Sequence, residues 1–160
     1  VTTSRKLSAS DPFSTALRLL ARCERSSADL RERLRRRGFA EAAIAAAVQR
    51  CTELGYLDDA RYARLRARSL VAGGRAVGTR LRQDLLRHGI AAEEADAAIA
   101  EAGGDGADEN LLAALLERRY PDFSWAAADD RQRRRVTGFF LRRGFPLALV
   151  LSVLKQNRER

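Results

Sequence analysis

Acid–base catalysis requires two positioned carboxylates or a histidine with a tuned pKa, and this chain offers few candidates. Its acidic pairs are Asp58-Asp59 and Asp129-Asp130, its one histidine is His88, and its cysteines are Cys23 and Cys51. Asp58-Asp59 stands just after Gly55 at a predicted helix start, where an acidic side chain answers exposed amides. Asp129-Asp130 is met at once by Arg131, Arg133, Arg134 and Arg135. His88 closes a predicted helix beside Gly89, where a cationic tip suits the helix dipole. Lone cysteines 28 residues apart do not have zinc-ligand spacing. Cys23 follows Phe13, Leu17 and Leu20 on one apolar stripe, and Cys51 follows Ile44 and Val48 on another, so both are expected to be buried free thiols in a reducing cytoplasm. Gly103-Gly104-Asp105-Gly106 has no GK[ST] after it and reads as a linker rather than a phosphate loop. The expectation is a non-enzymatic protein without metal or cofactor.

The chemistry that remains belongs to arginine. The chain of 160 residues carries a formal charge of +9, and only Lys6 and Lys155 among its cations are lysines. A guanidinium can fork a phosphate or carboxylate, where an ammonium acts as a point charge. Basic pairs recur as Arg36-Arg37, Arg87-His88 and Arg142-Arg143, with Arg35 beside the first. Arg64, Arg66 and Arg68, then Arg75, Arg80 and Arg82, and finally Arg131 to Arg135 extend the set. Seven net positive charges between Arg61 and Arg87 are followed by five negatives between Glu93 and Asp105. These residues point to a polyanionic partner, bound through backbone phosphate without reading of sequence.

The elements that position them emerge from a repeat. Gly38, Gly89 and Gly144 follow the basic pairs, 51 and 55 residues apart. Eight residues before each glycine stand Leu30, Leu81 and Val136, and four before stand Leu34, Leu85 and Phe140. One after stand Phe39, Ile90 and Phe145; six after, Ile44, Ala95 and Val150; ten after, Val48, Ile99 and Leu154. Offsets of four place each pair on one helical face, and the glycine fits a left-handed C-cap between two helices. A further amphipathic helix precedes each pair, over about 12–24, 59–72 and 108–119.

Helix-start signals agree: Asp11-Pro12, a Ser26/Asp29 box, Asp58-Asp59, Ser124 before a Trp125 helix, and Pro146. No stretch alternates as a strand would. The predicted fold is all-α, three tandem three-helix repeats over 11–57, 58–103 and 104–160 behind a flexible segment 1–10, in an elongated, curved array. Tyr120, Phe123, Trp125, Phe139, Phe140 and Phe145 crowd the last repeat, where packing is favoured over stacking on bases.

A three-helix basic unit invites comparison with helix-turn-helix readers, whose last helix carries base-reading side chains near its start. Here those helices begin AEAAIAAAVQR, AAEEADAAIAE and PLALVLSVLKQ, which are alanine-rich, acidic and apolar. Sequence-specific repression is not expected. A membrane span is excluded by the lack of an apolar run of about 20 residues, and no signal peptide is visible after Val1, although an N-terminal extension is compatible with the missing Met.

ALRLLARCERSSADLRERLRRRGF, ELGYLDDARYA (Glu53 to Ala63), TRLRQDLLRHGI and FFLRRGF together resemble the RecX family of recombination regulators, from about Phe13 to about Gln156. The resemblance implies a protein that binds the helical groove of the RecA–single-stranded-DNA filament and inhibits ATP hydrolysis, strand exchange and co-protease activity. It implies weaker binding to bare DNA, no cofactor, no catalysis and no membrane; we expect a cytoplasmic monomer. Asp58, Asp59, Arg61 and Tyr62 match the family's most recognisable motif and are expected to be architectural, as are Gly38, Gly89 and Gly144. The filament-binding set is expected in Arg35, Arg36, Arg37, Arg64, Arg66, Arg68, Arg75, Arg80, Arg82, Arg87, Arg133, Arg134, Arg135, Arg142 and Arg143. The alternative is a general basic module acting on DNA directly.

Overall fold

A computed structural model describes residues 11–103 and 109–157. The segment 1–10 and the Gly104–Gly106 part of the linker, with Asp105 of the acidic run, lie outside the described residues. All regular structure among the described residues is helical: α1 (Pro12–Leu20), α2 (Ser27–Arg35), α3 (Glu41–Glu53), α4 (Asp59–Ala72), α5 (Gly78–Arg87), α6 (Ala92–Ala102), α7 (Glu109–Arg119), α8 (Asp130–Leu141) and α9 (Leu147–Gln156).

Side-chain caps set the starts of α1, α2, α4 and α8, whereas α3, α6 and α9 begin without one. Asp11 accepts from the Ser14 amide at 3.1 Å, with Pro12 in the first helical turn. Ser26 is extended and its hydroxyl accepts from the Asp29 amide at 3.2 Å. The Asp29 carboxylate does not complete a box; it takes Arg25 and Arg33, each at 2.8 Å. Ser26 is extended where it caps α2, and α1 stops at Leu20 instead of running to 24. This overturns one expectation about the thiols. Cys23 lies in the intervening turn and is exposed, whereas Cys51 is buried as expected. Burial pushes the Cys51 thiol above its usual value, which disfavours the reactive thiolate.

A second correction concerns α8. No helix opens after Ser124; residues 121–128 form turns, and α8 starts at Asp130. Asp129 and Gln132 make a reciprocal capping box, with Gln132 N donating at 2.7 Å and Asp129 N donating back at 3.2 Å. That box satisfies two orphan amides at once. The turns before it lay Phe123 and Trp125 against the core.

The fifteen positions of the repeat belong to the core. Fourteen are buried and only Phe39 is half-exposed, so the sequence pattern records packing rather than contact with a partner. Each buried aliphatic or aromatic side chain contributes roughly 1.5–3 kcal/mol. Gly144 sits between two such positions at φ 98°, and a Cβ there would stand 2.1 Å from the Val77 carbonyl oxygen. Only glycine tolerates both the dihedral and the approach.

The described residues fold as two compact bodies: 11–62 with His88–Ile90, and Ala63–Arg87 with 91–103 and 109–157. In the first, α1, α2 and α3 pack on one another around Ala16, Leu19, Leu30, Leu34, Ile44, Val48, Cys51 and Leu57. The Arg50 guanidinium lies 4.2 Å from the centre of the Phe13 ring. In the second, α5 packs on α6, and α7 and α8 pack on α9. Its aromatic residues form an edge-to-face series, with ring centres 5.3 Å apart for Tyr120–Phe139, 5.1 Å for Phe139–Phe140 and 5.8 Å for Phe140–Phe145. The aromatic crowd is therefore a core, as expected.

Candidate nucleic-acid interface

The LGYLDDARYA segment builds a latch in the first body. Asp58 caps α4 by accepting from the Arg61 amide at 2.8 Å. Asp59, the first residue of that helix, reaches back to α2. Its carboxylate accepts from the Ser27 amide at 2.7 Å and from the Ser27 hydroxyl. Arg61 bonds Glu24 at 2.9 Å and the Gly55 carbonyl at 3.3 Å. Tyr62 is half-buried with its ring 6.0 Å from that of His88. Gly89 is also in this body at φ 77°, and a Cβ there would meet the Ala28 Cβ at 2.3 Å. Both carboxylates of the acidic pair are thus engaged in holding helix starts. Sequence reasoning misses Ser27 and Glu24, because they stand 32 and 37 residues from their partners.

The basic residues fall into distinct environments. In the first body Arg35 bridges Glu32 at 2.8 Å and Glu41 at 2.5 Å, and Arg36 also takes Glu32 at 2.9 Å. Hydrogen bonds from Arg36 and Arg35 hold Glu32 below the usual carboxylate range, and Arg35 does the same to Glu41. Arg37 differs: it donates to the Arg33 carbonyl at 2.9 Å and meets no described carboxylate.

In the second body the positive and negative runs of the middle sequence fold against one another. Arg82 pairs with Asp96 at 2.7 Å, and its hydrogen bond lowers the Asp96 pKa. Arg68 bonds Glu101, which also lies 4.0 Å from Arg64. Arg66 pairs with Asp84, and Arg87 approaches the same carboxylate at 3.9 Å. Arg75 donates to the Ser69 hydroxyl at 3.2 Å. Arg80 is exposed and makes no ion pair among the described residues.

Around α8 the pattern changes again. Arg133 donates to the Trp125 carbonyl at 3.1 Å, stands 5.3 Å from the centre of its ring, and lies 3.7 Å from Asp130. Arg143 donates to the carbonyls of Gly74 and Phe139, each at 3.1 Å, and stacks 3.5 Å above the Phe139 ring. Burial lowers its pKa below that of an ordinary arginine. Its own carbonyl accepts from the Val77 amide at 2.8 Å, so Arg143 ties two stretches of the body together. By contrast, Arg134, Arg135 and Arg142 are exposed and form no ion pair among the described residues. Arg135 and Arg119 border a cleft of about 520 Å³ whose wall includes Tyr120 and Phe123.

Among the described residues no group of three His, Cys, Asp or Glu is placed to hold a metal ion. Among them, too, no helix is long and apolar enough to cross a membrane. The arrangement offers guanidinium donors at the surface, among them Arg37, Arg134, Arg135 and Arg142.

Comparison with known proteins agrees with this architecture. Residues 13–51 match the RecX first three-helix domain, and residues 58–99 match the RecX second three-helix domain. The chain is 45% identical over 148 residues to the regulatory protein RecX of Syntrophotalea carbinolica, covering 92% of this chain and 97% of that protein. It is 38% identical to the regulatory protein RecX of Trichlorobacter lovleyi, covering 92% and 96%. The crystal structure of RecX from Lactobacillus salivarius superposes with a TM-score of 0.69 at 18% identity, over 91% of this chain and 93% of that one. The repeat, the Asp-Asp latch and these matches agree: the chain belongs to the RecX family of regulatory proteins.

Proposed function

We propose that this chain binds the RecA–single-stranded-DNA filament in its groove and inhibits ATP hydrolysis, strand exchange and co-protease activity, without catalysis of its own. The observation that carries the reading is the 45% identity to a regulatory protein RecX across 92% of this chain. The exposed arginines with no described carboxylate partner give the polyanion contact a physical basis, since each can release counterions from a phosphate. We further propose three functional repeats over 11–57, 58–103 and 104–160, acting in the cytoplasm as a monomer. The filament contacts lie within the basic set from Arg35 to Arg143, and binding to bare DNA is weaker.

The test is ATP hydrolysis by RecA on single-stranded DNA, titrated with this protein, with bare-DNA binding measured in the same buffer. The expected outcome is inhibition at protein well below the RecA concentration. Loss of hydrolysis only when the protein is abundant enough to coat the DNA would replace this reading with direct DNA binding.

A further inference from the structure

The first body holds a cleft of about 300 Å³ lined by Thr15, Arg18, Leu19, Arg22 and Arg37. Three guanidiniums border it, and no carboxylate of the described residues does. Thr15 is 5% exposed, and its hydroxyl accepts from an Arg18 guanidinium N–H at 3.3 Å. Arg37 is held by its bond to the Arg33 carbonyl, which leaves its other N–H groups to point elsewhere. Arg22 is exposed in the turn after α1 and forms no ion pair among the described residues.

Helix dipoles explain why arginines stand near the ends of α1 and α2. They do not explain three that converge from two elements on one cleft. The carboxylates of α2 are already taken elsewhere: Asp29 by Arg25 and Arg33, and Glu32 by Arg35 and Arg36. Like charges gathered without a counter-ion repel, and an entering anion would relieve that repulsion. A planar carboxylate accepts mainly within one plane, whereas a phosphodiester presents oxygens tetrahedrally to donors arriving from different directions.

We propose that the cleft bordered by Arg18, Arg22 and Arg37 is a subsite for a phosphodiester of the nucleic-acid backbone. It rests on the nucleoprotein-filament reading, which supplies the polyanion. It also adds Arg18 and Arg22 to the filament-binding set and separates Arg37 from Arg35 and Arg36, whose charges are answered within the body.

The experiment measures binding of a fluorescent oligothymidylate to the full chain across a salt series. R18Q/R22Q is compared with R31Q/R118Q, which removes the same charge at exposed arginines outside the cleft. Thermal unfolding is followed for each, and R22Q alone serves if the double variant loses stability. The cleft variant is expected to bind about tenfold more weakly, with a salt slope reduced by about 0.7 for each phosphate no longer neutralised, while the control changes less than about twofold. Equal losses in the two variants would overturn the subsite in favour of diffuse attraction. Wild-type protein that inhibits RecA but binds no oligothymidylate would also overturn it. Cleft-dependent oligothymidylate binding without any effect on RecA would instead leave the subsite standing and remove the filament reading.

Discussion

Within the second body, α4 and α5 direct all their arginines but Arg80 at carboxylates of the same body, whereas α8 and the turn after it leave several of theirs unanswered among the described residues. Arg66, Arg68 and Arg82 each bond an acid on α5 or α6. Arg134, Arg135 and Arg142 bond none among the described residues. Both regions look equally basic in sequence. The difference teaches that net charge and available charge are separate quantities, and that only the second attracts a phosphate. An arginine already forked onto a carboxylate must give up that pair before it can release counterions from a polyanion.

The largest effect expected from this contrast is on filament binding. R134A/R135A/R142A removes three exposed guanidiniums from outside the core, so the unfolding midpoint should hardly move, as surface substitutions usually stay within about 0.5 kcal/mol. Affinity for RecA-coated single-stranded DNA should fall at least about tenfold at low salt, and the log–log salt slope should shrink by about 2, near 0.7 per phosphate. Binding measured at two salt concentrations decides it. Unchanged affinity would mean that α8 faces away from the partner and that the contrast has no functional content.

A smaller effect of opposite sign comes from the paired region. D96N/E101Q releases Arg82, Arg68 and Arg64 from their acids and raises the net charge by two. If pairing is what silences these arginines, affinity for the filament should rise about threefold, again more at low salt. No gain would show that they face away from the partner, so that freeing them adds nothing. The comparison would then rest on position rather than on pairing.

What the sequence could and could not reveal divides along the same physical line. Leu30, Leu34, Ile44 and Val48 are recognisable because helical packing imposes a local period of about 3.6 residues, and the same offsets recur around Gly89 and Gly144. The Asp11 and Ser26 caps are equally local. Arg82–Asp96 and Arg68–Glu101 span 14 and 33 residues, and no local pattern says which acid a given arginine will meet. Cys23 is misplaced by its apolar stripe because no glycine or proline marks the end of α1, which stops at Leu20. The α8 start is legible in principle, since Asp129 with Gln132 three residues later is a capping-box spacing. Ser124 offers a competing cap too early in the chain to use the box. The cleft of Arg18, Arg22 and Arg37 needs the fold, because it joins side chains from two helices' ends.

The smallest effect concerns pH and separates an ion pair from a charge that merely sits nearby. The Asp96 carboxylate is held below its ordinary value first by the hydrogen bond from Arg82. A carboxylate with a depressed folded-state pKa contributes stability that is present above its unfolded value, near 3.9, and lost as pH falls through the lower folded value. R82A should therefore melt slightly below the wild type at neutral pH, and the gap should close as the pH is taken below about 4. Both side chains are largely exposed, with 41% and 56% of their surface accessible, so salt should narrow the gap as well. R134A has no paired carboxylate to protonate, and its melting temperature should track the wild type across the same range. Parallel melting curves for R82A and R134A at every pH would mean that the Arg82–Asp96 pair contributes nothing in solution, and the line drawn between the two regions would have to be redrawn without it.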